Sequence, residues 1–185
     1  MRLSRKRQVG LPNLGNGAKP LQNMAYERIE RHLKDMIKIL FVCHGNICRS
    51  TMAEAMMNAK IQKYYLEGMF QTDSAATSYE EIGEPMYYAA QEILKKHHIP
   101  IGNHCARRIT PEDYERFDLL IGMDSANIRN MKQMFGDDPE HKIFKLLEFA
   151  GRDEDISDPW YTRNFDLSYE QIDEGLNGLI EKYID

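Results

Sequence analysis

One short segment, Val42–Ser50, constrains the fold of this chain more than any other part of its sequence. It overlaps the end of the apolar run Ile37–Val42, and the run Met52–Met57 after it has the composition of a helix. The predicted order is therefore strand, tight loop and helix. A loop that opens a helix in this way turns backbone N–H groups toward its centre, and the helix dipole adds partial positive charge. The pattern thus predicts a cradle for an oxyanion.

Two side chains of this loop, Cys43 and Arg49, indicate what the cradle does. The planar guanidinium of Arg49 can hold two phosphate oxygens at once. The same positive environment favours the thiolate form of Cys43, and a thiolate that faces a bound phosphate is placed to attack phosphorus. Gly45 lies between them and allows the backbone to approach the ligand closely.

The loop resembles the phosphate-binding loop of the low-molecular-weight protein tyrosine phosphatases, Cys-x-Gly-Asn-Ile-Cys-Arg-Ser, over the whole of Cys43–Ser50. A bare Cys-x5-Arg would be a weak signal, but here the residues between and after the two are also in place. The segment Asp158–Tyr161 resembles a second family feature, the Asp-Pro-aromatic-Tyr loop that carries a general acid. Family-like segments lie between the two in the family's order: Asp73–Thr77, His104–Thr110 and Phe117–Asp124. The resemblance covers about residue 36 to the C-terminus.

The resemblance implies a full set of site residues. The implied catalytic residues are Cys43 as nucleophile, Arg49 as phosphate ligand and Asp158 as general acid. The implied substrate-binding residues are His44, Gly45, Asn46, Ile47, Cys48, Ser50, Trp160 and Tyr161. The implied loop-supporting residues are Ser74 and His104. In the family, the serine that Ser50 matches donates a hydrogen bond to the nucleophile, and the cysteine that Cys48 matches can form a reversible disulfide with it.

Several of these residues also have an ordinary structural interpretation. Trp160 fits a core aromatic, Cys48 a small buried filler and His104 a histidine without a catalytic part. The acids Asp153–Asp155 lie close to Asp158, so the choice of general acid depends on the match of Asp-Pro to the family loop.

Charge limits the partners of the chain. Residues 1–35 carry eight Lys/Arg and three Asp/Glu, a net charge of +5, whereas residues 36–185 carry 16 and 26, a net charge of −10. So acidic a domain argues against a nucleic-acid partner. No apolar run reaches the length of about 18 residues that is typical of a membrane span, so no membrane association is expected.

Cysteine and histidine usage indicates the compartment and the cofactors. Two of the three cysteines share the reactive loop, which favours a reducing compartment and hence a cytoplasmic protein. The third, Cys105, matches no family role, and we expect it to be buried packing. Histidines and acids lack the spacing of metal ligands, so we expect neither a metal nor another cofactor.

The sequence predicts one α/β domain over residues 36–185, preceded by a basic N-terminal extension, residues 1–35. Predicted strands lie near Ile37–Val42, Phe70–Ser74, Phe117–Met123 and Lys142–Leu147. Predicted helices lie near Ser50–Glu67 with Gly68 as its cap, Pro85–His98, Ser125–Phe135 and Tyr169–Tyr183. This alternation indicates a single doubly wound domain, a four-stranded parallel sheet flanked by helices, with the phosphate loop at the C-terminal end of strand 1.

The extension has three open explanations: a vector remnant, an over-long gene start or a flexible basic arm. Within it, Leu21–Lys34 has the spacing of a short helix.

The predicted function is metal-independent hydrolysis of phosphotyrosine in proteins through a cysteinyl-phosphate, with inorganic phosphate or a similar oxyanion as a ligand of the loop. Protein-arginine phosphatases resemble the same loop but carry Thr where Ile47 stands, so Ile47 favours phosphotyrosine. Thiol-dependent arsenate reduction needs a further pair of cysteines, and only Cys105 lies outside the loop. A non-catalytic phosphate-binding adaptor module is expected to have lost Cys43 or Asp158, and both are present.

Overall fold

The computed structural model describes residues 36–184. Its strands are β1 (Ile37–Cys43), β2 (Phe70–Ala76), β3 (Leu119–Gly122) and β4 (Ile143–Lys145). Its α-helices are α1 (Arg49–Tyr64), α2 (Tyr88–Lys96), α3 (Pro111–Arg116), α4 (Ser125–Met134), α5 (Pro159–Thr162) and α6 (Phe165–Ile184), and a 3-10 helix covers Leu146–Ala150.

The four strands form one parallel sheet in the order β2-β1-β3-β4, which confirms the predicted fold class. Strand β1 is central, and its side chains alternate between two cores. Ile39 and Phe41 pack on the side of α1, α2 and α6. Leu40 and Val42 pack on the side of α3 and α4. An apolar run buried on both faces is what a central parallel strand requires, and it places residue 43 at the edge of the sheet where the loop begins.

Helix α1 ends earlier than predicted, and the prediction of Gly68 as its cap is wrong. Tyr65 takes the left-handed position instead, with φ of 58°. The amide of Leu66 then donates to the carbonyl of Ile61 at 2.9 Å. Burial of Leu66 in the core accounts for the early turn, because the chain must fold back to place this side chain.

Helix α2 also begins later than predicted. It starts at Tyr88, so Pro85 lies before the helix rather than in its first turn, and it ends at Lys96 rather than at His98. Two short helices, α3 and α5, escaped prediction although each has a local signal. Thr110 and Pro111 open α3, and Asp158 caps α5. Elements of six and four residues are too short for a hydrophobic period to reveal them.

Helix α6 packs against the 3-10 helix at backbone distance. A Cβ atom on Gly178 would lie 2.2 Å from the carbonyl oxygen of Phe149, and one on Gly175 would lie 2.6 Å from Cγ of Leu146. The two glycines therefore set how closely the helices approach. This contact anchors the chain just before it returns toward Asp158.

Within residues 36–184, no helix has both the length and the apolar character needed to cross a bilayer. The basic extension, including the helix predicted over Leu21–Lys34, lies outside the described residues.

Candidate active site

The loop between β1 and α1 forms the floor of a cleft of about 290 Å³. Cys43, Arg49 and Asp158 line this cleft together, although the last of them lies more than a hundred residues along the chain. The cleft opens at the carboxyl end of β1, where open parallel sheets hold their ligands. The cleft is thus built from several segments that are distant in sequence.

The thiol of Cys43 lies at the base of the cleft and is only 4% exposed. Its Sγ is 3.0 Å from Oγ of Ser50 and accepts a hydrogen bond from the backbone N–H of Asn46 at 3.2 Å. Helix α1 begins at Arg49, so its N-terminal end points toward this sulfur. The N–H of Asn46, the hydroxyl of Ser50 and the helix terminus therefore all face the sulfur of Cys43.

Asn46 holds the loop in shape from within. It is fully buried and adopts a left-handed backbone conformation, with φ of 58°. Its side-chain Nδ2 donates to Oγ of Ser50 and to Oγ of Ser74, both at 2.9 Å. Its carbonyl oxygen lies 2.7 Å from Nε2 of His104. The two predicted supporting residues, Ser74 and His104, are therefore both brought against the loop.

A second layer of polar side chains lies behind this network, and the sequence prediction missed it. Oγ of Ser74 donates to Oε2 of Glu54 at 2.5 Å, and burial raises the pKa of that carboxyl. The backbone N–H of Arg107 donates to Oδ1 of Asn46 at 3.1 Å. The guanidinium of Arg107 in turn binds the carboxylates of Asp73 and Asp113. The loop is thereby tied to α1, to β2 and to the segment before α3.

Arg49 is 3% exposed and is held by carboxylates on two sides. Its Nη1 donates to Oδ2 of Asp124 at 2.7 Å and to the carbonyl of Ile156 at 3.2 Å. Its Nη2 donates to Oδ2 of Asp158 at 2.5 Å. Burial alone favours the neutral form, but the negative charges of Cys43, Asp158 and Asp124 outweigh it and raise the pKa of Arg49. Asp124 is a cleft residue to which the sequence assigned no role, although it ends the family-like segment Phe117–Asp124 and caps the helix that follows.

Asp158 lies at the start of α5, where its Oδ1 accepts a hydrogen bond from the N–H of Trp160 at 2.9 Å. The neighbouring acids point elsewhere: Asp153 and Asp155 bind Lys145, and Glu154 binds Arg152. Of the candidate acids in this stretch, Asp158 is the one that lines the cleft.

Trp160 and Tyr161 line the cleft with much of their surface open to solvent, at 44% and 83% exposed. The interpretation of Trp160 as a core aromatic is therefore wrong. Two exposed rings beside an oxyanion cradle fit a flat apolar group attached to the bound phosphate.

Comparison with known proteins shows the family of this chain. Residues 38–184 match the family model described as low molecular weight phosphotyrosine protein phosphatase. The chain belongs to the low-molecular-weight protein tyrosine phosphatase family. It is 39% identical over 147 residues to the protein-tyrosine-phosphatase PtpA of Staphylococcus epidermidis, covering 79% of this chain and 93% of the relative.

Solved structures of family proteins share the fold. The crystal structure of YfkJ from Bacillus subtilis is 38% identical with a TM-score of 0.77, over 80% of this chain and 94% of that one. The crystal structure of a Drosophila arginine phosphatase is 32% identical with a TM-score of 0.74, over 80% of this chain and 99% of that one.

The remaining loop residues of this phosphatase divide into an inward and an outward set. Ile47 and Cys48 are buried and pack against Ala106. His44 is exposed, and its Nε2 lies 2.9 Å from a carboxylate oxygen of Glu80 at the cleft edge. Gly45 lies so close to Glu81 that a Cβ atom would be 3.1 Å from its Cγ. No motif in the sequence indicates that these two glutamates border the cleft.

The other two cysteines differ sharply in environment. Burial, with the charge of Cys43 adding to it, raises the pKa of Cys48 to about 12, so this thiol is protonated at neutral pH. Cys105 is exposed, which contradicts the expectation of buried packing. Its neighbour His104 takes the inward position because it reaches Asn46.

Among residues 36–184, no three histidine, cysteine or acidic side chains are grouped closely enough to hold a metal ion. The two aspartates of the cleft, Asp124 and Asp158, both bind Arg49.

Proposed function

We propose that this protein is a protein-tyrosine phosphatase that hydrolyses phosphotyrosine through a cysteinyl-phosphate, with Cys43 as nucleophile, Arg49 as phosphate ligand and Asp158 as acid and base. The convergence of these three side chains in one cleft carries the proposal. Names of the relatives support it, because PtpA of Staphylococcus epidermidis and YfkJ of Bacillus subtilis are both named protein-tyrosine-phosphatases.

In the first step, the phosphate oxygens occupy the loop and Arg49 holds two of them. Cys43 attacks phosphorus, the S–P bond forms and the bond from phosphorus to the phenolic oxygen breaks. Asp158 donates its proton to that oxygen, because a phenolate is a poor leaving group. General acid catalysis of this kind contributes about 10²–10⁴ in rate.

In the second step, water attacks the cysteinyl-phosphate and Asp158 removes a proton from that water. The S–P bond breaks, orthophosphate forms and Cys43 leaves as a thiolate. Ser50 and the N–H of Asn46, at 3.0 Å and 3.2 Å from Sγ, stabilise this leaving group. The same two contacts therefore serve both steps.

Phosphate binding requires a change in the partners of Arg49. Its Nη2 contacts Asp158 at 2.5 Å, whereas Nη1 is held by Asp124 and the carbonyl of Ile156. We infer that the substrate displaces the Asp158 contact and that Asp124 keeps the guanidinium in place. This exchange frees Asp158 to meet the leaving oxygen.

A second candidate, hydrolysis of phosphoarginine, is favoured by the similarity to the Drosophila arginine phosphatase. The environment of Ile47 argues against it. This side chain is an aliphatic group packed in a small apolar cluster, so it offers no hydrogen bond to a guanidinium N–H. Trp160 and Tyr161, in contrast, offer aromatic faces to a phenyl ring.

The test compares a phosphotyrosine peptide and a phosphoarginine peptide of otherwise identical sequence, both in excess chelator. We expect chelator-resistant turnover with preference for phosphotyrosine. Cys43→Ser is expected to abolish turnover and to keep vanadate binding, because Arg49 and the loop amides remain. Steady turnover by Cys43→Ser would contradict the nucleophile, and preference for phosphoarginine would keep the nucleophile and overturn the substrate.

The natural substrate is thus proposed to be a phosphotyrosine-containing protein, and the proposed location is the cytoplasm. All three cysteines are unpaired, as a reducing compartment would keep them.

A further inference from the structure

Three aromatic side chains form a continuous surface that leads away from the cleft. We name Trp160, Tyr87 and Tyr88 the aromatic ridge. Trp160 lines the cleft, whereas the two tyrosines precede and open helix α2 outside it. Tyr88 is 68% exposed and Trp160 is 44% exposed. Adjoining apolar side chains left open to solvent in this way commonly mark an interaction surface.

The ridge is rigidly connected to the catalytic loop. Tyr87 meets Trp160 edge-on with ring centroids 5.5 Å apart, and it meets Tyr88 at 4.6 Å. Its other side stacks on Phe165 at 6.0 Å, and its backbone N–H donates to the carbonyl of Ile47 at 2.8 Å. These contacts therefore fix the position of the Tyr88 ring relative to the loop between β1 and α1.

The polypeptide that carries the phosphorylated residue is the molecule that must pass over this surface. With its phosphate in the loop and its ring beside Trp160, the residues on either side of it lie over the rim of the cleft. An extended chain advances about 3.3 Å per residue. The path from the ring of Trp160 to that of Tyr88 consists of two contacts, of 5.5 Å and 4.6 Å. Two or three residues of an extended substrate span this path.

We propose that Tyr88 is a specificity-determining residue, which docks a large apolar or aromatic side chain two or three residues from the phosphotyrosine of the substrate. This inference rests on the proposed phosphotyrosine phosphatase activity. Another part of the rim is unsuited to such a side chain, because Glu80 and Glu81 place carboxylates there. The charged group beside the aromatic ridge is a cation rather than a carboxylate, because the guanidinium of Arg163 lies 5.6 Å from the centroid of the Trp160 ring.

The test measures kcat/KM on phosphotyrosine peptides with an alanine background, in which one leucine or phenylalanine is moved through the three positions on each side. We expect one of these peptides to be preferred over the all-alanine peptide by about fivefold or more, the gain from covering part of an apolar side chain. Tyr88→Ala should remove the preference and Tyr88→Phe should keep it. Hydrolysis of p-nitrophenyl phosphate should be the same in all variants, because Tyr88 lies outside the cleft.

Tyr64→Ala is the matched control. Tyr64 is also an exposed tyrosine, 46% open to solvent, but it ends the helix that Arg49 begins. At a rise of about 1.5 Å per residue it lies roughly 20 Å from the loop. This variant should keep the full peptide preference.

Three outcomes would overturn the inference. The first is equal hydrolysis of all peptides, and the second is a preference that survives Tyr88→Ala. The third is a dimer, detected by analytical ultracentrifugation, that Tyr88→Ala dissociates while the peptide preference stays, because the ridge would then contact a second copy of the chain. Failure of the proposed function itself is distinguishable, since every phosphotyrosine peptide, the all-alanine one included, would then remain intact whether or not p-nitrophenyl phosphate is hydrolysed.

Discussion

At the scale of single residues, Asn46 shows how much of the site depends on one side chain. Its side-chain amide contacts none of the reacting atoms. The side-chain amide of Asn46 forms hydrogen bonds with Ser50, Ser74 and the backbone N–H of Arg107. The backbone N–H of Asn46 donates a hydrogen bond to Cys43. Asparagine tolerates the left-handed conformation better than most residues, which fits its φ of 58°.

We predict that Asn46→Ala costs about 3 kcal/mol in the free energy of unfolding, because buried partners lose their hydrogen bonds and alanine is strained at this φ. Displacement of the loop should also lower kcat by about 10- to 100-fold. Urea unfolding and p-nitrophenyl phosphate kinetics measure the two effects. Asn58→Ala, on the exposed side of α1, is the control and should change neither quantity appreciably. Equal stability of the two variants would contradict the role of the amide network.

A second residue-scale prediction concerns Cys48. Its pKa, raised to about 12 by burial, leaves almost no thiolate at neutral pH, and only the thiolate is alkylated. Labelling of Cys48 by iodoacetamide should therefore be negligible at neutral pH and should rise about tenfold per pH unit while the pH stays below this pKa. Peptide mapping by mass spectrometry, with Cys105 as the exposed reference, measures it. Rapid labelling of Cys48 at neutral pH would disprove the assignment of a buried thiol.

The residues that sequence reasoning found and those that it missed differ in a physical way. Cys43, Arg49 and Asp158 belong to short segments whose neighbours repeat a family pattern, so each was visible locally. Asp124 and Glu54 act through contacts between segments far apart in the chain. In the sequence, Asp124 ends a family-like segment without a role of its own and Glu54 looks like a helix surface charge, and only the fold brings them to the loop.

At the scale of elements, burial on both faces made the central strand β1 predictable, but helix ends depended on tertiary contacts. The turn at Tyr65 follows from the burial of Leu66, and no local residue type signals it. Likewise, α6 begins four residues before the predicted Tyr169, at Phe165, whose ring packs on Tyr87. Contacts across the fold thus overrode the local preferences used in prediction.

The contact between α6 and the 3-10 helix gives a prediction with a clear sign. Alanine normally stabilises a helix relative to glycine by about 1 kcal/mol. At Gly178, however, the added methyl would lie 2.2 Å from a carbonyl oxygen, so Gly178→Ala should destabilise the protein by about 2 kcal/mol or more. Urea unfolding tests this, with Gly102→Ala as control because nothing lies within 4 Å of its Cβ position. A Gly178→Ala protein as stable as its control would contradict the close packing.

At the scale of the whole molecule, the sheet brings together segments that are scattered along the chain. The floor of the cleft follows β1, Asp124 follows β3, and Asp158 returns after β4 and the 3-10 helix. Parallel strands with helical crossovers place all three at the same edge. Charge was less informative at this scale, because the net charge of −10 over residues 36–185 does not show that the loop itself is built to bind an anion.

The most direct test of the cysteinyl-phosphate mechanism is a rapid-quench experiment on Asp158→Asn with p-nitrophenyl phosphate. This leaving group needs little protonation, so the first step should proceed, whereas the second step lacks its base and the intermediate should accumulate. Mass spectrometry of the digested protein is then expected to find a phosphoryl group on Cys43, which Cys43→Ser eliminates. A burst of nitrophenol without any phosphorylated Cys43, or with the phosphoryl group on another residue, would contradict the assignment of Cys43 as the nucleophile.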